Sequence, residues 1–208
     1  MSISKLCIGL VFGGRSSEHE VSIKSARNIY NSLNNSDNKK KFKVNPIYID
    51  KTGFWWDMIS SKSIILENEK DIINKNAVKE YSNKLLNLTK ENDKIDIWFP
   101  ALHGPNGEDG VIQGFFKLTG KPFVGSGILG SALGMDKIAM KSIFESFNLP
   151  QAPYISLEKK NIQNTKYIQY MTRKINREIN YPCFIKPANL GSSIGITKAY
   201  SEKELLNG

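Results

Sequence analysis

Leu6-Cys7-Ile8-Gly9-Leu10-Val11-Phe12-Gly13-Gly14-Arg15-Ser16-Ser17-Glu18-His19-Glu20 carries strand, turn and helix signals in succession. It opens as an apolar run of strand character, passes through a glycine pair, and from Val21 reads as helix. Strand, glycine turn and helix opening make the first binding loop of an α/β protein. Glycine lets the backbone turn sharply and approach a ligand closely, and the free N–H groups of a helix N-terminus attract anions. Ser17 and Glu20 have capping-box spacing and can satisfy orphan backbone groups. Glu18 is left without a structural duty.

Working outward, Ser22, Ala26, Ile29 and Leu33 fall on one side of the helix. The polar run Asn34-Asn35-Ser36-Asp37-Asn38 ends it, and residues 42–49 read as a second strand. The β-α-β order implies a parallel pair with a right-handed crossover. Residues 51–93 read as a surface excursion, with 53–56 an edge strand or an aromatic patch and 72–88 weakly helical. Residues 95–102 form a buried strand that runs into His103-Gly104-Pro105-Asn106-Gly107-Glu108-Asp109-Gly110 and then an apolar helix. Ligands of open α/β sheets bind beyond the carboxyl ends of the strands, so this loop and the opening loop are expected to share a rim. His103, at the end of its strand, is placed to face that cleft. Glu108 and Asp109 suit helix-dipole complementarity at least as well as substrate contact.

Residues 121–127 read as a short strand with a glycine turn, and 128–133 as the start of a helix. A boundary near Gly134 divides the chain into domains 1–134 and 135–208. The second begins with an amphipathic helix, 136–147, carrying Met140, Ile143, Phe144 and Phe147. Asn148, tolerant of a left-handed cap, and Pro150 stop it. A strand over 152–157 and a helix over 162–179 follow, the latter with Ile168, Met171 and Ile175 on one face. On the next strand, 181–187, Cys183 and Ile185 point one way and Phe184 and Lys186 the other. The segment 188–195 is a small polar hairpin tip before a return strand at 196–199, and 202–206 opens another helix. Such a tip suits a flap closing over phosphates. It is no Walker loop, because no Gly-Lys-Ser/Thr ends it and no helix leaves it.

The 208 residues carry a net charge of +9, but the lysines are scattered and no basic stripe with interleaved aromatics marks a nucleic-acid binder. No apolar run reaches membrane-spanning length, and no export signal opens the chain. Cys7 and Cys183 lie in apolar runs and read as buried thiols of a reducing compartment. A cytoplasmic location is expected.

These motifs, in this order, resemble the D-alanine–D-alanine ligase family of ATP-grasp enzymes. The segment 12–22 is similar to the family's first substrate loop, and 103–114 to its first signature. Met135-Asp136-Lys137 resembles the start of its central domain, and Phe184-Ile185-Lys186-Pro187 with Gly191-Ser192-Ser193 its ATP-binding strand and flap. The resemblance implies a Rossmann-like (pre-ATP-grasp) parallel-sheet N-terminal domain and the start of an α+β ATP-grasp central domain, with the C-terminal domain absent. It implies that Glu18 holds the ammonium of the first D-alanine and orients the flap through Ser192, and that His103 lies beside the same substrate. Lys137, Lys186, Gly191, Ser192 and Ser193 are implied as ATP contacts. Glu18 and Ser192 are the residues given a catalytic part. The implied partners are D-alanine and ATP, with no nucleic acid and no membrane. Mg2+ is implied with ligands beyond residue 208, none of them in this chain, and a homodimer at full length. The expected activity is joining of two D-alanines through an acyl phosphate, for peptidoglycan precursors, with these residues inactive as a fragment. A D-alanine–D-lactate or D-serine ligase and a non-catalytic ligand-binding module are the alternatives.

Overall fold

The computed structural model describes residues 4–66 and 94–208, and these divide between two compact units, 1–132 and 133–208. The weakly helical reading of 72–88 lies outside the described residues.

In the first unit β1 (Leu6–Gly13) is the middle strand of a three-stranded parallel sheet, between β2 (Phe42–Ile49) and β3 (Ile97–Pro100). Alternation along β1 feeds two cores. Leu10 and Phe12 meet Ile23, Ala26 and Tyr30 of α1 (His19–Leu33) and Ile64 and Ile65 of α2 (Met58–Leu66). Val11 faces the other side, with Ile47, Trp98, and Ile112 and Phe116 of α3 (Val111–Leu118). β3 needs room on that side. A Cβ at Gly9 would stand 2.7 Å from the Trp98 ring, so the glycine admits the indole against β1.

The buried face of α1 is Ser22, Ile23, Ala26 and Tyr30, with Ile29 at its margin. The 53–56 segment is settled by one antiparallel bridge, Ile49 to Trp55. The turn before it is pinned by the Asp50 carboxylate, which accepts from the Thr52 N–H and hydroxyl, the Phe54 N–H and the Trp56 indole. Burial works to raise the Asp50 pKa, but these donors outweigh it and hold the carboxyl below the usual aspartate range. Phe123 adds a single parallel bridge to Trp98. Cys7 is only half-buried, which corrects its reading as a buried thiol.

The second unit contains α5 (Lys137–Ser146), α6 (Thr165–Glu178), the antiparallel pair β4 (Cys183–Ile185) and β5 (Thr197–Ala199), and α7 (Glu202–Asn207). A further helix, α4 (Ile128–Met135), runs across the division between units. Ile175, Cys183 and Ala199 form the core of the second unit, with Ile155, Ile179, Tyr181, Ile185 and Leu205 against it. Residues 133–208 therefore enclose apolar contacts of their own. Asn148 takes a left-handed φ of 53°, and the N–H groups of Asn148 and Leu149 return to the Glu145 and Phe144 carbonyls, the two bonds of a Schellman stop. The strand expected at 152–157 is not formed. Pro153 lacks a donor, and no ladder partner pairs with the segment among the described residues.

Candidate functional site

The opening loop is built by α1 reaching back to the strand ends. Ser22, fully buried, accepts the Gly13 N–H and donates to the Ala101 carbonyl, fixing where β1 and β3 stop. Gly13 has φ +89°, and a Cβ there would collide with the Ile49 carbonyl oxygen, so the turn requires glycine.

Ser16, not Ser17, organises the helix start. Its Oγ accepts the Glu18 N–H at 3.1 Å and donates to the His103 carbonyl at 2.8 Å. The Ser17–Glu20 capping box does not form, and no side chain caps α1 through the N-cap residue Glu18. Glu20 turns instead to Lys51 at 2.7 Å, and that hydrogen bond holds its carboxyl below the usual glutamate range.

Glu18 and His103 come to one rim. Oε2 of Glu18 stands 2.6 Å from the point a Cβ on Gly104 would occupy, and Gly104 has φ +72°. The bare Gly104 backbone thus gives the carboxylate its place beside the residue following His103. The His103 ring is held from α1 by Ser25, with Oγ 3.0 Å from Nε2. Glu108 and Asp109 resolve to loop-building. Glu108 accepts the Gly104 N–H, and Asp109 accepts the N–H groups of Asn106 and Val111. Buried Gln113 completes the loop, accepting from Gly110 and donating to the Gly107 carbonyl.

His19 carries no signal in the sequence beyond its type, yet it is buried directly under the loop. Its Nδ1 lies 2.7 Å from the Gly14 carbonyl, which can only accept, so Nδ1 carries the proton toward it. Nε2 meets the Tyr48 hydroxyl at 3.0 Å.

In the second unit Lys137 and the hairpin tip are joined. The Lys137 ammonium donates to the carbonyls of Leu190 and Ala188, and its backbone N–H also reaches Ala188. Asp136 caps α5 through the Ile138 and Ala139 N–H groups and accepts from the Asn189 amide. Beyond this anchored base the chain makes a tight turn over 191–194, closed by Ile194 N–H to the Gly191 carbonyl. Ser192 and Ser193, its central residues, have φ 50° and 60°. Positive φ at both central positions defines a type I′ turn, which asparagine and glycine occupy with least strain; holding two serines there is a local cost of the kind found at ligand clamps. Lys186 is exposed immediately after β4, its ammonium over the Phe184 ring, while Cys183 of that strand is buried. Lys198, unremarked by pattern, crosses from β5 over the same Phe184 ring.

A cavity of about 460 Å³ in this unit, lined by Glu145, Asn148, Tyr154 and Glu178 among others, contains none of the candidate residues. Among the described residues no group of three or more His, Cys, Asp or Glu side chains converges as a metal site, and no helix is long and apolar enough to cross a membrane.

The family model described as "D-ala D-ala ligase N-terminus" matches residues 7–126, and that described as "D-ala D-ala ligase C-terminus" matches residues 143–207. The second match overturns the expectation that the family's C-terminal part is absent, and with it the description as an N-terminal domain carrying only the start of a second. The residues responsible are the second unit's own α6, hairpin and α7, which lie inside the matched stretch. The chain is 60% identical over 210 residues to a D-alanine–D-alanine ligase of Prochlorococcus marinus (strain NATL1A), covering all of this chain and 58% of the relative. It is 47% identical to one from Synechococcus sp. (strain CC9605), covering 59% of it. The chain thus spans less than two thirds of the length of these curated relatives. Among solved structures it is similar to the D-alanine–D-alanine ligase from Coxiella burnetii, with TM-score 0.74, 26% identity, and 98% and 57% of the two chains covered. It is likewise similar to the VanG D-Ala:D-Ser ligase from Enterococcus faecalis, with TM-score 0.74, 31% identity, and 97% and 57% covered.

Proposed function

The chain belongs to the D-alanine–D-alanine ligase family, and from that premise we propose that it serves ATP-dependent joining of two D-alanines for peptidoglycan precursors. The observation that carries this reading is the ordered match of both family models along one chain, with Glu18 and His103 on one rim in the first matched stretch. The curated relatives at 60% and 47% identity, both named D-alanine–D-alanine ligase, favour D-alanine over D-serine as second substrate.

In this scheme the first D-alanine lies on the rim with its ammonium on Glu18 and His103 beside it. ATP supplies the γ-phosphoryl group, which passes to that substrate's carboxylate oxygen as ADP leaves. The amine of the second D-alanine attacks the acyl carbon, loses a proton, and expels inorganic phosphate as the peptide bond closes. Positive charge and backbone donors stabilise the phosphoryl group during transfer. The hairpin fits an anionic ligand of this kind. Lys186 Nζ has no hydrogen bond or ion pair among the described residues, and serine hydroxyls line a strained, exposed turn. Lys186, Gly191, Ser192 and Ser193 are the proposed phosphate contacts, with Ser192 also serving the amino acid. Lys137 has three donors. Two engage the Leu190 and Ala188 carbonyls, leaving one for phosphate at the base of the flap. Among the described residues no cluster of three or more His, Cys, Asp or Glu side chains offers a site for the family's Mg2+. We further propose a cytoplasmic homodimer.

Incubation with ATP, Mg2+ and D-alanine, followed by chromatography for D-alanyl-D-alanine and assay of released phosphate, tests the reading. Both products in equal amounts support it and overturn the expectation that these residues are inactive by themselves. Phosphate released without dipeptide, or with a dipeptide formed only when D-serine is added, contradicts it.

A further inference from the structure

The rim holds one histidine whose two ring nitrogens stand in different surroundings. His103 Nε2 lies 3.0 Å from Ser25 Oγ, while no hydrogen bond or ion pair engages Nδ1 among the described residues. Ser25 sits in α1, two turns after Glu18, so the helix that begins at Glu18 also grips the His103 ring. The His103 backbone is fixed separately, its carbonyl accepting from Ser16 Oγ at 2.8 Å. Backbone and ring are therefore both tied to the segment that carries Glu18.

The direction of the Ser25 contact decides what the ring can offer. A helical serine commonly returns its hydroxyl hydrogen to the carbonyl one turn earlier. Among the described residues Ser25 makes no such bond, and its hydroxyl meets one side chain, at His103 Nε2. The hydroxyl hydrogen is thus available to Nε2. The neutral ring then carries its own proton on Nδ1, because the bond made by one imidazole nitrogen sets the state of the other.

We propose that Ser25 is a positioning residue that holds His103 in the Nδ1–H tautomer, so that the ring presents an N–H donor to the carboxylate of the amino acid whose ammonium Glu18 binds. The proposal rests on the amino-acid reading of the rim given above. It divides the recognition of one zwitterion between two neighbours: Glu18 takes the cationic end and His103 Nδ1–H takes the anionic end. Ser25 touches neither the substrate nor the reacting atoms. Without its hydroxyl, the imidazole reverts to the Nε2–H form that predominates in free histidine, and Nδ1 turns a lone pair toward a carboxylate.

The test combines 15N-detected NMR of the His103 ring in the ligand-free protein with D-alanine titration, for wild type, Ser25→Ala and Ser25→Thr. Thermal unfolding of each variant checks that the fold is kept. Wild type is expected to show a protonated Nδ1 and an unprotonated Nε2, Ser25→Ala the reverse, and Ser25→Thr the wild-type pattern. D-alanine affinity is expected to fall about tenfold in Ser25→Ala, the size of one lost hydrogen bond, and to recover in Ser25→Thr. A wild-type ring protonated on Nε2 overturns the proposal, and so does unchanged affinity in Ser25→Ala. If wild type shows the Nδ1–H ring but binds no D-alanine, the amino-acid reading of the rim falls together with the carboxylate assignment, while the spectrum upholds the tautomer.

Discussion

Ser22 bridges Gly13 and Ala101, joining the ends of two adjacent strands through one hydroxyl: Gly13 N–H donates to Oγ at 2.7 Å and Oγ donates to the Ala101 carbonyl at 2.6 Å. The Gly13–Gly14 turn leaves one strand end and the His103 loop leaves the other. One helical serine therefore sets the starting points of both loops that form the rim.

Ser22→Ala leaves a buried donor and a buried acceptor unsatisfied, at roughly 1–3 kcal/mol each. A loss of about 2–4 kcal/mol is expected in urea unfolding. A change below about 0.5 kcal/mol, the range of an ordinary surface substitution, would show that the strand ends do not depend on this bridge.

Gly104→Ala separates the site from the fold. The new methyl would meet the Glu18 carboxylate, the movable end of a flexible side chain, so packing can relax by displacing Glu18. Strain at φ +72° remains, at about 1 kcal/mol. The variant should fold with a small stability loss but bind D-alanine about tenfold more weakly, as one displaced charge-assisted contact implies. Titration and thermal unfolding of the same sample check this, and full retention of affinity would dissociate Gly104 from the rim.

Asp136 links the start of α5 to the hairpin base. Its carboxyl is held below the usual aspartate range, first by the Ala139 N–H and then by the Asn189 amide. A depressed carboxyl contributes stability that is present above its ordinary pKa and lost as pH falls through the lower folded value. Wild type should therefore lose part of its advantage over Asp136→Ala below about pH 4. At neutral pH the variant should be about 1 kcal/mol less stable, the usual worth of an N-cap, with faster amide exchange around Asn189. A pH-independent difference would contradict the carboxylate's role.

Burial raises the pKa of the Cys183 thiol, keeping it protonated at neutral pH, whereas Cys7 is half-buried near the start of β1. Because the thiolate is the reactive form, alkylation followed by mass spectrometry should label Cys7 well before Cys183. The sign for stability is the reverse of the aspartate case. The unfolded thiol ionises first, so the contribution of Cys183 declines as pH rises past about 8.5. Faster labelling of Cys183 would place it outside the core of the second unit.

The legible parts of the molecule were those written in local pattern. The apolar run through Leu10, Val11 and Phe12 gave a strand, and Asn148 before Leu149-Pro150 gave a helix stop, because both depend on residues adjacent in sequence. Alternation also separated Cys183 from Lys186 correctly. What escaped pattern depends on residues distant in sequence. Ser16 displaced Ser17 at the helix start because the His103 carbonyl lay within its reach, and Ser25 found the His103 ring. His19 was indistinguishable from a solvated helix residue until Tyr48 and the Gly14 carbonyl enclosed it. The 152–157 segment has the composition of a strand, but a strand also requires a neighbour.

In the proposed function the rim at Glu18 binds the amino acid and the hairpin binds the nucleotide. Calorimetric titration of Glu18→Gln with D-alanine and, separately, with ATP distinguishes the two sites. Removing the charge from a carboxylate–ammonium contact costs roughly 1.5–3 kcal/mol, so D-alanine affinity should fall by at least about tenfold while ATP affinity stays within about twofold and the unfolding temperature is kept. Equal loss of both ligands, or unchanged D-alanine binding, would return Glu18 to a purely structural place at the head of α1.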